Sequence, residues 1–477
     1  MRLDRVVSSS LVLDFEGDPA TEISDVVYLS SDAAPGTLFC CLRGRRSDGH
    51  DHAPDAVVRG ASALLVERRV ERLPRPVPQV RVGDARHAMA LAAAELHGNP
   101  SAALTVVGIT GTNGKSTTAR FVQALLDAAG RPCGLIGTMT GERTTPEAPD
   151  LQRELARFVR TGHAAAAVEV SSVGLVQRRV DGTRFAAGVF TNLSQDELWI
   201  HRTMEDYFRA KRMLFEAERT TTAVVNRDDE WGRRLLAELA GGELALHPFS
   251  VDDAADLDVG VTGSRFRWRG HPVELRPTGA HNVSNGLAAL TAAVAVGVAP
   301  DVATEALSRV PPLPGHGQPI DAGQPFRVVV DFAHTAGALA AVLSEARRAA
   351  GADGRVVVVF GCGGDRDPGR RGPMGQAAAQ HADVVVVTSD NPRTEDPAAI
   401  LAAVADGARD ARDLRVVEDR RQAIVSAIAE ARESDVVVIA GKGHETGQII
   451  GDTTLPFDDA EVARDALAAA GYQAVQR

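Results

Sequence analysis

A chain of 477 residues is too long for one ordinary core and predicts about three domains. Its formal net charge of −11 excludes a general surface for nucleic acid or an anionic membrane, while leaving room for a local basic pocket that takes phosphates. The four cysteines lack C-x-x-C spacing and two of them, Cys40 and Cys41, are adjacent, which speaks against a disulfide framework and for a reducing compartment.

The amino terminus, MRLDRVVSSSLVLDFEGD, meets acidic residues before any long apolar run. No stretch reaches the roughly 18 apolar residues that span a bilayer, so a cytoplasmic chain, neither exported nor inserted, is expected. Residues 1–98 read as short strands and turns: APGTLFCCLRG as turn then strand, GASALLVE as a buried strand. A helix at ARHAMALAAAELHG stops at Gly98, Asn99 and Pro100, which sets the first boundary.

From 99 to 310, apolar strands (LTVVGIT, AAAAVEVSS, AAGVFTNL) alternate with helical stretches such as STTARFVQALLDAAG, the pattern of a mainly parallel α/β sheet. PPLPGHGQP at 311–319 can continue neither neighbouring element and predicts a linker. The alternation then repeats over 311–477 in FRVVVDF, RVVVVFGCGG, ADVVVVTSD and SDVVVIAGKGHE. Strands this uniformly apolar are buried on both faces, as in a doubly wound sheet, which binds ligands at its strand carboxyl ends. The polar stretch TSDNPRTEDP follows one such end, so it is expected at a binding edge.

GITGTNGKSTTAR at 108–120 follows a strand and opens a helix. Gly111 and Gly114 let the backbone N–H groups of Thr112, Asn113 and their neighbours face phosphate oxygens, Lys115 supplies a point charge, and Ser116 and Thr117 open the helix, with Ser116 free to ligate Mg2+. A strict Walker A would need glycine where Ile109 stands. The strand, loop and helix context of that motif is nonetheless present. A nucleotide-triphosphate site alone fits a kinase, an ATPase or a ligase.

Taken with VEVSSVGL, TNLSQDELWIH, YFRAKRMLF, GCGGDRDPGRR, SDNPRTEDP and GKGHE, the loop resembles the Mur ligase family of peptidoglycan synthesis over essentially the whole chain. The resemblance implies an α/β fold of three domains: an N-terminal UDP-substrate domain, a central P-loop ATPase domain and a C-terminal Rossmann-like domain for the amino acid. It implies ATP-driven amide formation through an acyl phosphate, with diaminopimelate as amino substrate and the carboxylate of D-glutamate in a UDP-muramoyl dipeptide as acceptor. Ser116, Glu169, Glu197 and Lys211 would then serve a metal, Mg2+, with Lys211 carbamylated by CO2. Asp331 and His334 in DFAHT would lie near the ATP phosphates, and Asn285 in HNVSN at the nucleotide. The acceptor would meet Ser30, Thr144, Thr145, Ser171, Gln177 and Arg179. Diaminopimelate has a distal amino-acid centre, which needs a planar fork for its carboxylate and an acceptor for its ammonium. Arg393 and Arg366 supply forks, Asp390, Asn391 and Pro392 shape the loop, Gly441 allows close approach, and Glu445 accepts.

The chain departs from the family pattern at several places. Leu29 and Ser31 flank the retained Ser30, Val173 replaces a histidine, and Glu197 stands where the family has a metal-binding histidine. The linker reads Pro314, Gly315, His316, Gly317, Gln318, without the arginine and glutamate usual there. An intact amino-acid clamp beside an altered acceptor side leaves open a paralogue that activates a different carboxylate. DNPR and GKGHE argue against a folylpolyglutamate-synthetase-like ligase and a plain kinase. Lys115, Glu169 and Lys211 argue against a catalytically silent binding protein. Small-molecule substrates, no nucleic acid, no membrane and a monomeric state are expected.

Overall fold

The structure is a computed structural model that describes residues 1–44, 47–141, 143–196, 198–260, 263–276 and 279–472. The first sheet has the order β1-β5-β4-β3-β2, formed by β1 (Val12–Glu16), β2 (Asp25–Val27), β3 (Thr37–Cys40), β4 (Ala63–Val66) and β5 (Gln79–Val82). Only the β1–β5 pair is antiparallel. TLFC and ALLV are the buried strands β3 and β4, and the predicted helix runs Ala85–Leu96, capped by the Asp84 carboxylate.

The second sheet is fully parallel, ordered β11-β10-β9-β6-β8-β7. Its strands are β6 (Thr105–Thr110), β7 (Cys133–Ile136), β8 (Ala165–Glu169), β9 (Ala187–Phe190), β10 (Thr222–Asn226) and β11 (Ala245–Phe249). Both faces are covered by separate apolar cores, one around Phe121, Leu125 and Leu287, the other around Phe158, Phe185 and Phe208. That explains why β6 and β8 read as unbroken apolar runs and not as alternating ones. A small antiparallel sheet, β12 (Ala255–Gly260), β13 (Gly263–Trp268) and β14 (His271–Leu275), follows.

The next sheet has the order β15-β16-β20-β17-β18-β19, from β15 (Gln318–Ile320), β16 (Arg327–Asp331), β17 (Val356–Phe360), β18 (Val384–Val387), β19 (Leu414–Val416) and β20 (Val436–Ala440). All its strands are parallel except the edge strand β15, and two cores cover its two faces. This is the predicted doubly wound sheet. Consequently DFAHT, GCGGDRD, SDNPR and GKGHE, which follow β16, β17, β18 and β20, open on the same edge. A hairpin of β21 (Gly447–Ile450) and β22 (Thr453–Pro456) folds over it.

That edge is fixed from below by a buried ion pair. Arg420 donates from Nε and Nη2 to the two carboxylate oxygens of Asp459 at 2.8 and 2.7 Å, and both side chains are fully buried. The same guanidinium donates to the Ala440 carbonyl at 3.0 Å and the Ser389 carbonyl at 3.4 Å, so one side chain ties the ends of β20 and β18 to the helix Asp459–Ala469. Among the described residues no helix is long and apolar enough to cross a membrane.

Candidate active site

The phosphate-type loop links β6 to the helix Lys115–Ala128. Gly111 and Gly114 have φ of +151° and +84°. A Cβ on the first would collide with Thr191 Oγ1 and on the second with Asn285 Oδ1, so conformation and space both demand glycine here. Lys115 Nζ donates to the carbonyls of Gly111 and Thr112 at 3.0 and 2.8 Å. Lys211, buried against the Tyr207 ring, donates to the same Gly111 carbonyl at 2.8 Å. Asn113 N donates to Asn192 Oδ1 at 3.0 Å, and Asn285 Nδ2 donates to Asn282 Oδ1 at 3.2 Å.

Glu169 ends β8 and is buried beneath the loop. Its carboxylate accepts from Ser116 Oγ at 2.9 Å and from Thr138 N at 3.0 Å. Burial pushes its carboxyl above the ordinary range, against the pull of Lys115 and these two donors. Ser116 and Glu169 are hard oxygen donors at a helix N-terminus, a set that suits Mg2+ when phosphate and water complete the shell. Among the described residues no group of three or more His, Cys, Asp or Glu forms a cage of its own. Glu197, expected as a further ligand, lies outside the described residues.

These groups line a cleft of about 410 Å³ that also receives Thr144, Ser171, Asn285, His316, Asp331 and His334. Thr145 and Ser171 share a hydrogen bond of 3.0 Å, and Arg179 donates to the Thr145 carbonyl at 3.0 Å and to Gln177 Oε1 at 2.7 Å. Arg179 is also paired with the buried Glu147 at 2.9 Å. Four of the six expected acceptor contacts are thus one connected group, Thr144 joins it through Thr138 and Glu169, and Ser30 stands apart in a short 3-10 turn, Ser30–Asp32, between β2 and β3. Arg370 pairs with Asp196 across the cleft at 2.5 Å, joining the two large parallel sheets.

Asp331 ends β16, and its two carboxylate oxygens accept from the Ala333 N–H at 2.7 Å and the Gly317 N–H at 2.6 Å. It therefore holds the linker turn against the sheet. Burial pushes its carboxyl up to about 6 from the ordinary 3.8. The folded chain keeps a proton there that the unfolded chain releases, so stability falls as pH rises from about 4 to about 6. The loss, about 3 kcal/mol, is complete above the folded value. Asp331→Asn cannot ionise, and wild type is expected to lose that much stability relative to the variant between the two ends of the window. Urea unfolding of both proteins across it measures this, and a flat difference would show that the two N–H donors compensate the charge fully. His334 Nδ1 donates to the Phe332 carbonyl at 2.9 Å, which leaves Nε2 as the acceptor.

The amino-acid clamp forms a second cluster on the same sheet edge. Asn391 Nδ2 donates to Glu445 Oε2 at 2.8 Å, and Arg393 Nη1 donates to the Gly364 carbonyl at 2.8 Å. A Cβ on Gly441 would stand 2.8 Å from Asp390 Oδ2. Pro392 is buried and Arg366 exposed. The sequence reading passed over Lys442, the lysine of GKGHE. Its Nζ is buried and donates to Asn391 Oδ1 at 3.1 Å, Glu445 Oε2 at 2.9 Å and the Gly447 carbonyl at 2.6 Å. Burial alone would raise the Glu445 carboxyl, but Lys442 and Asn391 together hold it below the ordinary range. A lysine between two glycines was the available signal.

Three family models match the chain: the Mur ligase middle domain over 109–293, the Mur ligase glutamate ligase domain over 318–443, and the Mur ligase family catalytic domain over 22–97. A UDP-N-acetylmuramoyl-L-alanyl-D-glutamate–2,6-diaminopimelate ligase of Streptomyces avermitilis is 42% identical over 473 residues, covering 94% of this chain and 92% of that protein. The protein so named in Solibacter usitatus is 41% identical, covering 96% of each. A solved structure of a ligase of that name superposes with a TM-score of 0.68 at 31% identity, covering 99% of this chain and 100% of that one. The MurF ligase of Thermotoga maritima in complex with ADP shares the fold at 17% identity, with a TM-score of 0.63 over 88% of this chain and 94% of that one.

Proposed function

The chain belongs to the Mur ligase family, and on that premise we propose that it is an ATP-dependent amide ligase joining meso-diaminopimelate to the D-glutamate carboxylate of UDP-N-acetylmuramoyl-L-alanyl-D-glutamate. The observation that carries this reading is the meeting of two sites. A cleft built on the Gly111–Ser116 loop faces the sheet edge on which Asn391, Arg393, Lys442 and Glu445 form the clamp.

The chemistry requires an anionic carboxylate and the anionic γ-phosphate of ATP to touch. Lys115 and the N–H groups of the loop supply positive potential for the phosphate, and Asn285 orients the nucleotide. Ser116 and Glu169 would hold Mg2+, which when bound supplies charge screening between the phosphate and the carboxylate. Addition of CO2 to Lys211 would turn a buried cation into a carboxylate beside the same loop. A second cleft of about 720 Å³ shares His281 and Asp331 with the first and offers room for the base and ribose. Thr144, Thr145, Ser171, Gln177 and Arg179 bind the acceptor, and Ser30 reaches its nucleotide end from the first domain.

Arg393 carries the choice of amino substrate. Its φ of +52° is unusual for a residue with a side chain, and it is fixed by two backbone bonds to the hairpin: Arg393 N to the Ile449 carbonyl at 3.0 Å, and Gly451 N to the Arg393 carbonyl at 2.7 Å. The test is phosphate release by purified protein with ATP, Mg2+ and meso-diaminopimelate, with the UDP dipeptide compared against a panel of other carboxylates and products identified by mass. Rapid amide formation with the UDP dipeptide supports the reading. Turnover only with another carboxylate would replace the acceptor and keep the clamp.

A further inference from the structure

Gly315 and Gly443 lie back to back where the linker meets the turn after β20. Their φ values are +67° and +54°, and a Cβ on Gly443 would stand 2.6 Å from the Gly315 carbonyl oxygen and 2.7 Å from Phe332 Cβ. A Cβ on Gly315 would collide with the Gly443 and His444 backbone. This approach stacks the residues that follow: the His316 and His444 rings are 16° from parallel with centroids 5.4 Å apart. Phe332 packs against both, at 5.7 and 5.0 Å, and His334 packs on Phe332 at 4.6 Å. His316 Nε2 and His444 Nδ1 are shut off from solvent, and neither has a hydrogen-bond partner among the described residues.

The location of the stack gives it a use. His444 precedes Glu445 of the clamp, while His316 lines the phosphate-loop cleft with Lys115 and His334. The two rings therefore bridge the place assigned to the amino acid and the place assigned to the acyl phosphate, and the inference rests on that reading. We propose that the His316–His444 pair is the base that takes a proton from the incoming ammonium group of the amino substrate.

Amide formation makes this demand unavoidable. An ammonium has no lone pair, so one proton must leave before nitrogen attacks the acyl carbon. The new C–N bond forms, the carbon–oxygen bond to phosphate breaks with its electron pair on the phosphate oxygen, and the second nitrogen proton goes to that oxygen, so the group leaves as the hydrogen phosphate dianion. The first proton needs an acceptor, and the nearby carboxylates of the clamp and of the linker turn are engaged. Glu445 accepts from Lys442 and Asn391, and Asp331 accepts from two N–H groups.

The titratable groups facing the pair are His334 and His281 on the cleft side, Asp331 behind the linker turn and Glu445 beside His444. Burial, aided by the neighbouring histidines, pushes His316 down to about 3, and burial lowers His444 against the pull of Glu445. Lowered in this way, both rings are uncharged but weakly basic at neutral pH, so their proton uptake depends on negative charge that arrives with the substrates. A phosphate dianion in the cleft raises the proton affinity of His316 at the moment it is needed.

The test compares two nucleophiles on His316→Gln and His444→Gln. Diaminopimelate arrives as an ammonium, whereas hydroxylamine is already neutral at neutral pH and attacks the acyl phosphate without first losing a proton. Amide formation is expected to fall about 100-fold in each variant, the low end for loss of a general base, with hydroxamate formation close to wild type. Raising the pH should restore amide formation in the variants. His316→Phe, which keeps a ring in the stack, should behave like the glutamine variant. Equal loss of both products, or undiminished amide formation, would overturn the proposal. Hydroxamate formation by the wild type separately tests the acyl-phosphate reading itself.

Discussion

Replacing Lys115 with methionine is expected to lower ADP formation by about 1000-fold at saturating substrates, with the fold and diaminopimelate binding intact. The reasoning is electrostatic. The γ-phosphate and the acceptor carboxylate repel each other most in the transition state, inside a cleft walled by Phe332, Tyr207 and buried backbone. A positive charge fixed there is worth far more than in water, because little solvent is present to screen it. Lys115 is placed by its sequence position at the first turn of the helix and by its two bonds to the loop carbonyls, at 3.0 and 2.8 Å. Methionine keeps length and helix propensity while removing the charge. The variant should lose amide and hydroxamate together, since it fails before the acyl phosphate exists. That separates it from the His316 variants. Lys115→Met with near-normal ADP formation would require the loop N–H groups and Mg2+ to suffice alone, and would move the catalytic weight to Lys211.

Much of this site was readable because its parts are local in sequence. A strand, two glycines at obligatory positive φ and a lysine opening a helix fall within Thr105–Ala128, and their mutual geometry is set by the chain itself. The strands of the two large parallel sheets were readable for a related reason: with cores on both faces, β16, β17, β18 and β20 carry unbroken valine and isoleucine runs. The antiparallel elements were missed. β13 buries Ser264, Phe266 and Trp268 on one face and exposes Arg265 and Arg267 on the other, so half its residues look like loop. The antiparallel edge strand β15 and the parallel edge strand β19 have three residues each, too short for any period to register.

Contacts made by distant segments were the least legible. Lys442 reads as a surface lysine until the fold brings Asn391, 51 residues away, within 3.1 Å of it. The pair Arg370–Asp196 and the stack of His316 on His444 arise the same way. His316 was noticed only as the absence of an arginine. Its partner is chosen by Gly315, whose missing side chain admits the Gly443–His444 backbone.

Replacing Arg393 with lysine is expected to raise the KM for diaminopimelate by about 10- to 100-fold and to shrink the preference for diaminopimelate over lysine by a similar factor, with hydroxamate formation unchanged. Lysine lacks the distal carboxylate, so only a group that reads that carboxylate distinguishes the two substrates. A guanidinium does so with two parallel N–H bonds, whereas an ammonium offers a single point contact. Arg393 is held for the purpose by its backbone pairing to Ile449 and Gly451, and by its bond to the Gly364 carbonyl, which orients the planar group. Because the clamp and the phosphate loop are separate clusters, the loss should stay confined to the amino substrate and leave carboxylate activation untouched. Steady-state kinetics with both amino acids, and hydroxamate formation as the internal reference, measure it. An unchanged preference in Arg393→Lys would shift the reading of the distal carboxylate to Arg366, and a parallel loss of hydroxamate would mean that the DNPR loop supports the cleft as a whole.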